Sequence, residues 1–256
     1  MTTDILETSE DAVLGGRLRL RQPLKGHRVG HDAILLAAAT GGRTGERVAD
    51  LGAGVGAAGL ALAMRVSGLR VMLVEIDGAL CALSAENALR NGLDDRVDAV
   101  SADVEDMDAL AAAGLAPGTF DRVLMNPPFH DATRQPLSPD PRRRVAHAAA
   151  PGLLARWIAA AAWLLKPEGV LTLIWRADEL AAVQAALAGA FGDIAVLPVL
   201  PRPDAPAIRV LVRAALAGSG AATTYPGLVL NDAQGMPSPA AEAVLRGGNA
   251  LVLAKS

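Results

Sequence analysis

The run "FDRVLMNPPFHD" ends an apolar stretch in Asn126-Pro127-Pro128-Phe129. Proline fixes its own φ and restricts the residue before it, so this turn is stiff. It offers two acceptors, the Asn126 side-chain carbonyl and the Pro127 main-chain carbonyl. Aimed at the two N–H groups of a planar amine, such a pair draws the nitrogen toward tetrahedral geometry. That exposes a lone pair otherwise delocalised into the ring. Phe129 adds a flat face for a base to stack on, in a chain with only 3% aromatic residues.

A second group lies upstream. "VADLGAGVG" places Asp50 ahead of Gly52, Gly54 and Gly56, Glu75 ends the apolar run "RVMLVE", and Asp103 follows "DAVSA". Glycines after a strand let a backbone approach a ligand closely, and this spacing also satisfies a nicotinamide-binding fingerprint. The three acids favour another ligand. Asp50 would repel a pyrophosphate but hold an α-amino group, Glu75 would accept from two ribose hydroxyls, and Asp103 from an adenine amine. Amino acid, ribose and adenine without phosphate describe S-adenosylmethionine. Its sulfonium already activates the methyl carbon, so catalysis reduces to positioning and charge placement, with no metal expected.

These residues must be held by strands and helices that alternate from about residue 46. "RVADL", "RVMLVEI", "RVDAVSAD", "RVLMNPP", "GVLTLIW", "DIAVLPVL" and "AIRVLVRAAL" read as strands, with helical patterns between most of them. Such alternation predicts an α/β fold: a doubly wound, mostly parallel, seven-stranded Rossmann-like sheet, with ligands at the carboxyl ends of its strands. We expect an N-terminal extension at 1–45, the main domain at 46–216, and a loop-rich tail at 217–256 with a short helix opening at Ser238-Pro239. In "GRLRLRQ", Arg17, Arg19 and Arg21 alternate with Leu18 and Leu20.

The bulk numbers exclude several classes. With 52% hydrophobic residues over 256 the chain can bury a sizeable core. The single cysteine, Cys81, rules out an internal disulfide. No apolar run approaches a membrane span, and the acidic start lacks the pattern of a signal peptide. A cytoplasmic protein that avoids membranes is expected. The net charge of −3 leaves nucleic-acid contact to local patches. Arg17, Arg19, Arg21, Lys25 and Arg28 supply one, and Arg142, Arg143 and Arg144 another.

"DLGAGVG", "VEID", "AENALRNG", "SAD" and "MNPPF" together resemble the class I S-adenosylmethionine-dependent methyltransferases that modify planar amino or amide nitrogens. "GGRLRLRQPLKGHRVGHDAILLAA" is similar to the segment before the core in bacterial tRNA (valine) adenine-N6 methyltransferases, which act beside the anticodon. The resemblance implies that the segment from Gln22 to Asp32 covers the methionine end of the cofactor. It implies cofactor binding by Gln22, Arg28, Asp50, Gly52, Gly54, Gly56, Glu75, Ile76, Asp103 and Asn126. It implies amine binding by Asn126, Pro127 and Phe129, and tRNA as the partner. Other targets on the same scaffold are a ribosomal-RNA guanine amine and a protein glutamine amide. A nicotinamide oxidoreductase and a non-catalytic RNA-binding protein are the readings from other classes.

Overall fold

The computed structural model describes residues 7–26, 28–128 and 152–255. Phe129 and Arg142 to Arg144 lie outside the described residues.

The strands β3 (Arg47–Leu51), β4 (Arg70–Glu75), β5 (Val97–Ser101), β6 (Phe120–Met125) and β7 (Leu165–Arg176) are parallel. β9 (Arg209–Leu216) runs antiparallel between β7 and β8 (Phe191–Leu200). The order is β5-β4-β3-β6-β7-β9-β8, extended on the outer edge of β8 by the two-residue strands β10 (Thr223–Thr224) and β11 (Leu228–Val229). The seven expected strands are therefore present, with two short additions from the tail.

Strands buried on both faces read as near-continuous apolar runs, and β3 is of that kind. Val48 points into one core layer, while Ala49 and Leu51 point into the other. The first layer holds α1 (His31–Ala39), α2 (Ala57–Arg65), α3 (Gly78–Arg90) and α7 (Pro239–Leu245). The second holds α4 (Met107–Ala112), α5 (Leu153–Leu164) and α6 (Leu180–Leu187). Side-chain caps start three of them. Asp77 Oδ1 accepts from Ala79 and Leu80, Asp106 Oδ1 from Asp108 and Ala109, and Ser238 Oγ from the Ala241 N–H. Each cap satisfies helix N–H groups that lack intrahelical partners. α3 stops where Gly92 turns left-handed at φ +64.

The first 45 residues are more than an extension. β1 (Thr8–Val13) and β2 (Leu18–Pro23) form an antiparallel hairpin, but α1 belongs to the core, with Leu35 and Leu36 fully enclosed. The tail also closes on α1, through the Leu251 N–H to the Ala38 carbonyl at 2.8 Å.

Candidate active site

The sheet order reverses between β3 and β6. In open α/β sheets, ligands bind beyond the strand ends at such a point. The glycine turn and the Asn126-Pro127 step leave adjacent strands there, since Leu51 is paired with Met125 in the last register of β3 and β6.

The turn depends on glycine at each of its three positions. Gly52, Gly54 and Gly56 have φ of +68, +57 and +86, values that side-chain-bearing residues seldom adopt. A Cβ at Gly52 would sit 2.5 Å from Trp157 Cη2, whereas one at Gly54 would meet nothing within 4 Å. Gly52 thus packs inward against α5, and Gly54 faces open space at the strand ends. The Ala53 N–H donates to the Val74 carbonyl at 2.9 Å, and the Gly56 N–H to the Ala53 carbonyl at 2.8 Å.

Glu75, 8% exposed, fastens the turn to β4. Its Oε2 accepts the Gly54 N–H at 2.8 Å and its Oε1 the Asp77 N–H at 3.0 Å. A carboxylate has about four lone-pair sites, so acceptor capacity remains. The next residue, Ile76, is 63% exposed, an apolar face offered to solvent beside that carboxylate. Asp103, beyond β5, accepts the Glu105 N–H at 2.9 Å. Asp50 is buried beneath the turn, with Oδ2 accepting the Gly59 N–H of α2 at 2.8 Å. Burial pushes its carboxyl up to about 7; the Gly59 hydrogen bond opposes that rise, and the charge of Glu75 adds to it.

Asn126 stands directly past β6, and Pro127 beside it is buried. The Asn126 Oδ1 is buried and has no hydrogen-bond partner among the described residues. Leaving a buried acceptor unsatisfied costs ~1–3 kcal/mol. That oxygen is an unused acceptor at the carboxyl end of β6.

The basic hairpin differs from expectation. Leu18 and Leu20 are fully buried and Arg19 points outward, as the alternation requires. Arg17 is not on the strand; its Nε donates to the Leu14 carbonyl and its Nη2 to the Arg246 carbonyl. Arg19 pairs with Glu10 at 3.1 Å, Arg21 with Glu86 at 2.7 Å, and Arg28 with Asp11. β1 carries Glu10 and Asp11, and its antiparallel register lays them against the strand that carries Arg19 and Arg21. Three of the five cations of that stripe are thereby neutralised by carboxylates, Arg17 is engaged by backbone carbonyls, and the exposed Lys25 has no ion pair among the described residues. Gln22 is also engaged: its Nε2 donates to Asp11 at 2.6 Å and its Oε1 accepts the Val29 N–H at 2.9 Å. Gln22 and Arg28 both brace the segment that follows the hairpin.

Two residues of "AENALRNG" have a role that the sequence did not assign. Asn87 on α3 and Asn91, the C-cap of that helix, pair their carboxamides with the backbone of Arg21 and Arg19 in β2. The available signal was an asparagine in the interior of a helix that disfavours it, with a second asparagine four residues on at the helix end.

This strand order, with one antiparallel strand and an acid–glycine turn at the reversal point, is the class I methyltransferase arrangement. The chain belongs to the family described as methyltransferase small domain, which matches residues 28–199. It is 32% identical over 157 residues to a Porphyromonas gingivalis protein named tRNA1(Val) (adenine(37)-N6)-methyltransferase. That match covers 60% of this chain and 60% of the relative, so the chain spans less than two thirds of the length of such relatives. A Chlorobaculum tepidum protein named release factor glutamine methyltransferase is 32% identical over 156 residues, covering 59% of this chain and 52% of the relative. Among solved structures, a predicted O-methyltransferase, protein Atu636 from Agrobacterium tumefaciens, superposes with a TM-score of 0.73 at 29% identity. That superposition covers 86% of this chain and 98% of the other.

Proposed function

We propose that this chain is an S-adenosylmethionine-dependent N-methyltransferase whose acceptor is the exocyclic N6 amine of an adenosine in a tRNA anticodon loop. The observation that carries the reading is the unpartnered, buried Asn126 Oδ1 beside the glycine turn. It is an acceptor that the described fold leaves unused, at the strand end where an amine would meet a methyl donor.

The residues present fit the donor. Glu75 retains acceptor capacity for a ribose diol, Ile76 offers a face to adenine, Gly54 leaves room above the turn, and Asp103 lies at the next strand end. Asp50 and Glu75 make this ground acidic, which suits a ligand without phosphate and opposes a dinucleotide. When bound, the donor supplies a sulfonium-activated methyl group. The chain then has to hold the amine in line and shape its lone pair, which the Asn126 and Pro127 carbonyls would do. Phe129 would stack the base, a role assigned from the sequence.

An anticodon-loop base suits the electrostatics. It is already single-stranded, so extruding it is cheap and calls for no large cationic platform. The chain's charge of −3 and its neutralised hairpin provide none. The name of the Porphyromonas relative supports adenine, and that of the Chlorobaculum relative supports a glutamine amide.

The test is methyl transfer from labelled S-adenosylmethionine to bulk tRNA, followed by nucleoside mass spectrometry. N6-methyladenosine is expected. Label on guanosine or on a protein glutamine keeps the scaffold and overturns the substrate; no transfer to any acceptor overturns the activity.

A further inference from the structure

We propose that Asn87 is a positioning residue for the cofactor turn, tying the N-terminal hairpin to the glycine turn so that the two seat together. This rests on the reading of that turn as the S-adenosylmethionine site.

Asn87 is fully buried. Its Oδ1 accepts the Arg21 N–H at 2.8 Å, and its Nδ2 donates to the Arg21 carbonyl at 2.9 Å and to the Val55 carbonyl at 3.0 Å. Both amide protons are thus spent, one on the hairpin and one on the turn. Asn91 repeats only the first half. Its Oδ1 accepts the Arg19 N–H at 3.0 Å and its Nδ2 donates to the Arg19 carbonyl at 2.7 Å, but its other donation returns to the Asn87 carbonyl of α3. The spacing follows from geometry. Four helical residues rise about 6 Å and two strand residues about 6.7 Å, so asparagines at i and i+4 stand opposite alternate residues of β2. The helix thereby acts as the missing neighbour strand of a hairpin edge.

Val55 lies between Gly54, whose N–H is held by Glu75 at 2.8 Å, and Gly56, the N-cap of α2. A shift of β2 is therefore passed through one side chain to the residue next to the Gly54–Glu75 contact. Gln22, one residue after Arg21, carries the same seating to Val29. Asn87 is the only described residue whose side chain donates to both hairpin and turn.

Asn91→Ala and Asn87→Ala each remove a strand-like pair to β2, but only the second also cuts the Val55 tether. Titration calorimetry with S-adenosylhomocysteine separates them. Asn91→Ala should bind within about twofold of the parent and Asn87→Ala roughly tenfold weaker, the scale of one or two lost hydrogen bonds. In methyl transfer, Asn87→Ala should raise KM for S-adenosylmethionine while kcat at saturation holds; a purely structural defect would lower apparent kcat and leave KM unchanged. In the parent, ligand should slow hydrogen exchange at the Arg21 amide, as followed by NMR. That measurement decides alone if Asn87→Ala does not fold. Equal affinities for the two variants, or an Arg21 amide indifferent to ligand, overturn the tether. A parent that does not bind S-adenosylhomocysteine overturns the cofactor reading and this inference with it.

Discussion

Asp50 Oδ2 accepts the Gly59 N–H at 2.8 Å from beneath the glycine turn, so a strand-end carboxylate caps the first turn of α2. The cap is costly when ionised, because burial pushes the carboxyl from 3.8 up to about 7. Between those values the folded protein holds a proton that the unfolded chain releases. Stability from this group is therefore full below about 3.8, falls as pH rises, and is lost once pH passes about 7. Asp50→Asn keeps an acceptor for Gly59 and removes the titration. Urea unfolding of the pair should show near-equal stability at pH 4. At pH 8 the variant should lead by up to roughly 4 kcal/mol. A pH-independent difference would refute the burial of a titrating acid here. If Asp50 also holds the donor's ammonium, the same variant gains stability and loses cofactor affinity.

Glu75 holds the Gly54 and Asp77 N–H groups, and the proposed function has it accept from a ribose as well. Glu75→Ala should weaken S-adenosylmethionine binding by ~1.5–3 kcal/mol, the range for lost charge-assisted hydrogen bonds. Titration calorimetry on a variant shown by circular dichroism to be folded measures it. Unchanged affinity would remove Glu75 from the site.

The two glycines flanking Ala53 separate packing from ligand space. Gly52→Ala would push a Cβ to 2.5 Å from Trp157 in a left-handed conformation, so stability should fall by about 2–4 kcal/mol. Gly54→Ala has the left-handed cost but no clash. It should lose only ~1–2 kcal/mol of stability, with a larger fall in cofactor affinity. Thermal unfolding and binding, measured on both, should rank the variants in opposite orders.

The sheet was legible because its central strands are mostly buried and read as apolar runs; β3 and β4 match "RVADL" and the first six residues of "RVMLVEI". The strand-end placement of Glu75, Asp103 and Asn126 was legible as well, since each polar residue directly follows or ends an apolar run. β1 was not: "TSEDAV" has a weak alternating pattern, and its pairing with β2 is tertiary. Missing it hid Glu10 and Asp11, and made Arg19, Arg21 and Arg28 look like free charge. The inward side of α3 was equally hidden. Asn87 appears as an unfavourable helix residue until a strand edge is placed against it.

That neutralisation has a consequence for RNA. Arg19 and Arg21 already face Glu10 and Glu86, so replacing both by Ala should leave the salt dependence of tRNA binding nearly unchanged. Arg142, Arg143 and Arg144 make a different prediction, drawn from the sequence. If they hold phosphates, replacing all three should flatten the plot of log affinity against log salt by about 0.7 per lost contact on a single strand. Filter binding from 50 to 200 mM salt distinguishes three outcomes: a flatter slope only for the second variant, for both, or for neither. Only the first agrees with this assignment.

Asn126 should show stability and activity moving apart. Its Oδ1 is buried without a partner among the described residues, so the folded protein gains little from the side chain's polarity. Asn126→Ala should melt at or above the parent's temperature, because an unsatisfied acceptor costing ~1–3 kcal/mol is removed. Cofactor affinity should change little, because the turn contacts of Glu75 remain. tRNA affinity should also persist, since phosphate contacts dominate it. Turnover should fall ~10²–10³-fold, the usual cost of one positioned transition-state hydrogen bond. Single-turnover transfer from labelled S-adenosylmethionine, run with both ligands saturating, reads the chemical step alone. Near-parental rates would dismiss the lone-pair mechanism. A large loss of stability would show instead that Asn126 is a structural residue of the β6 turn.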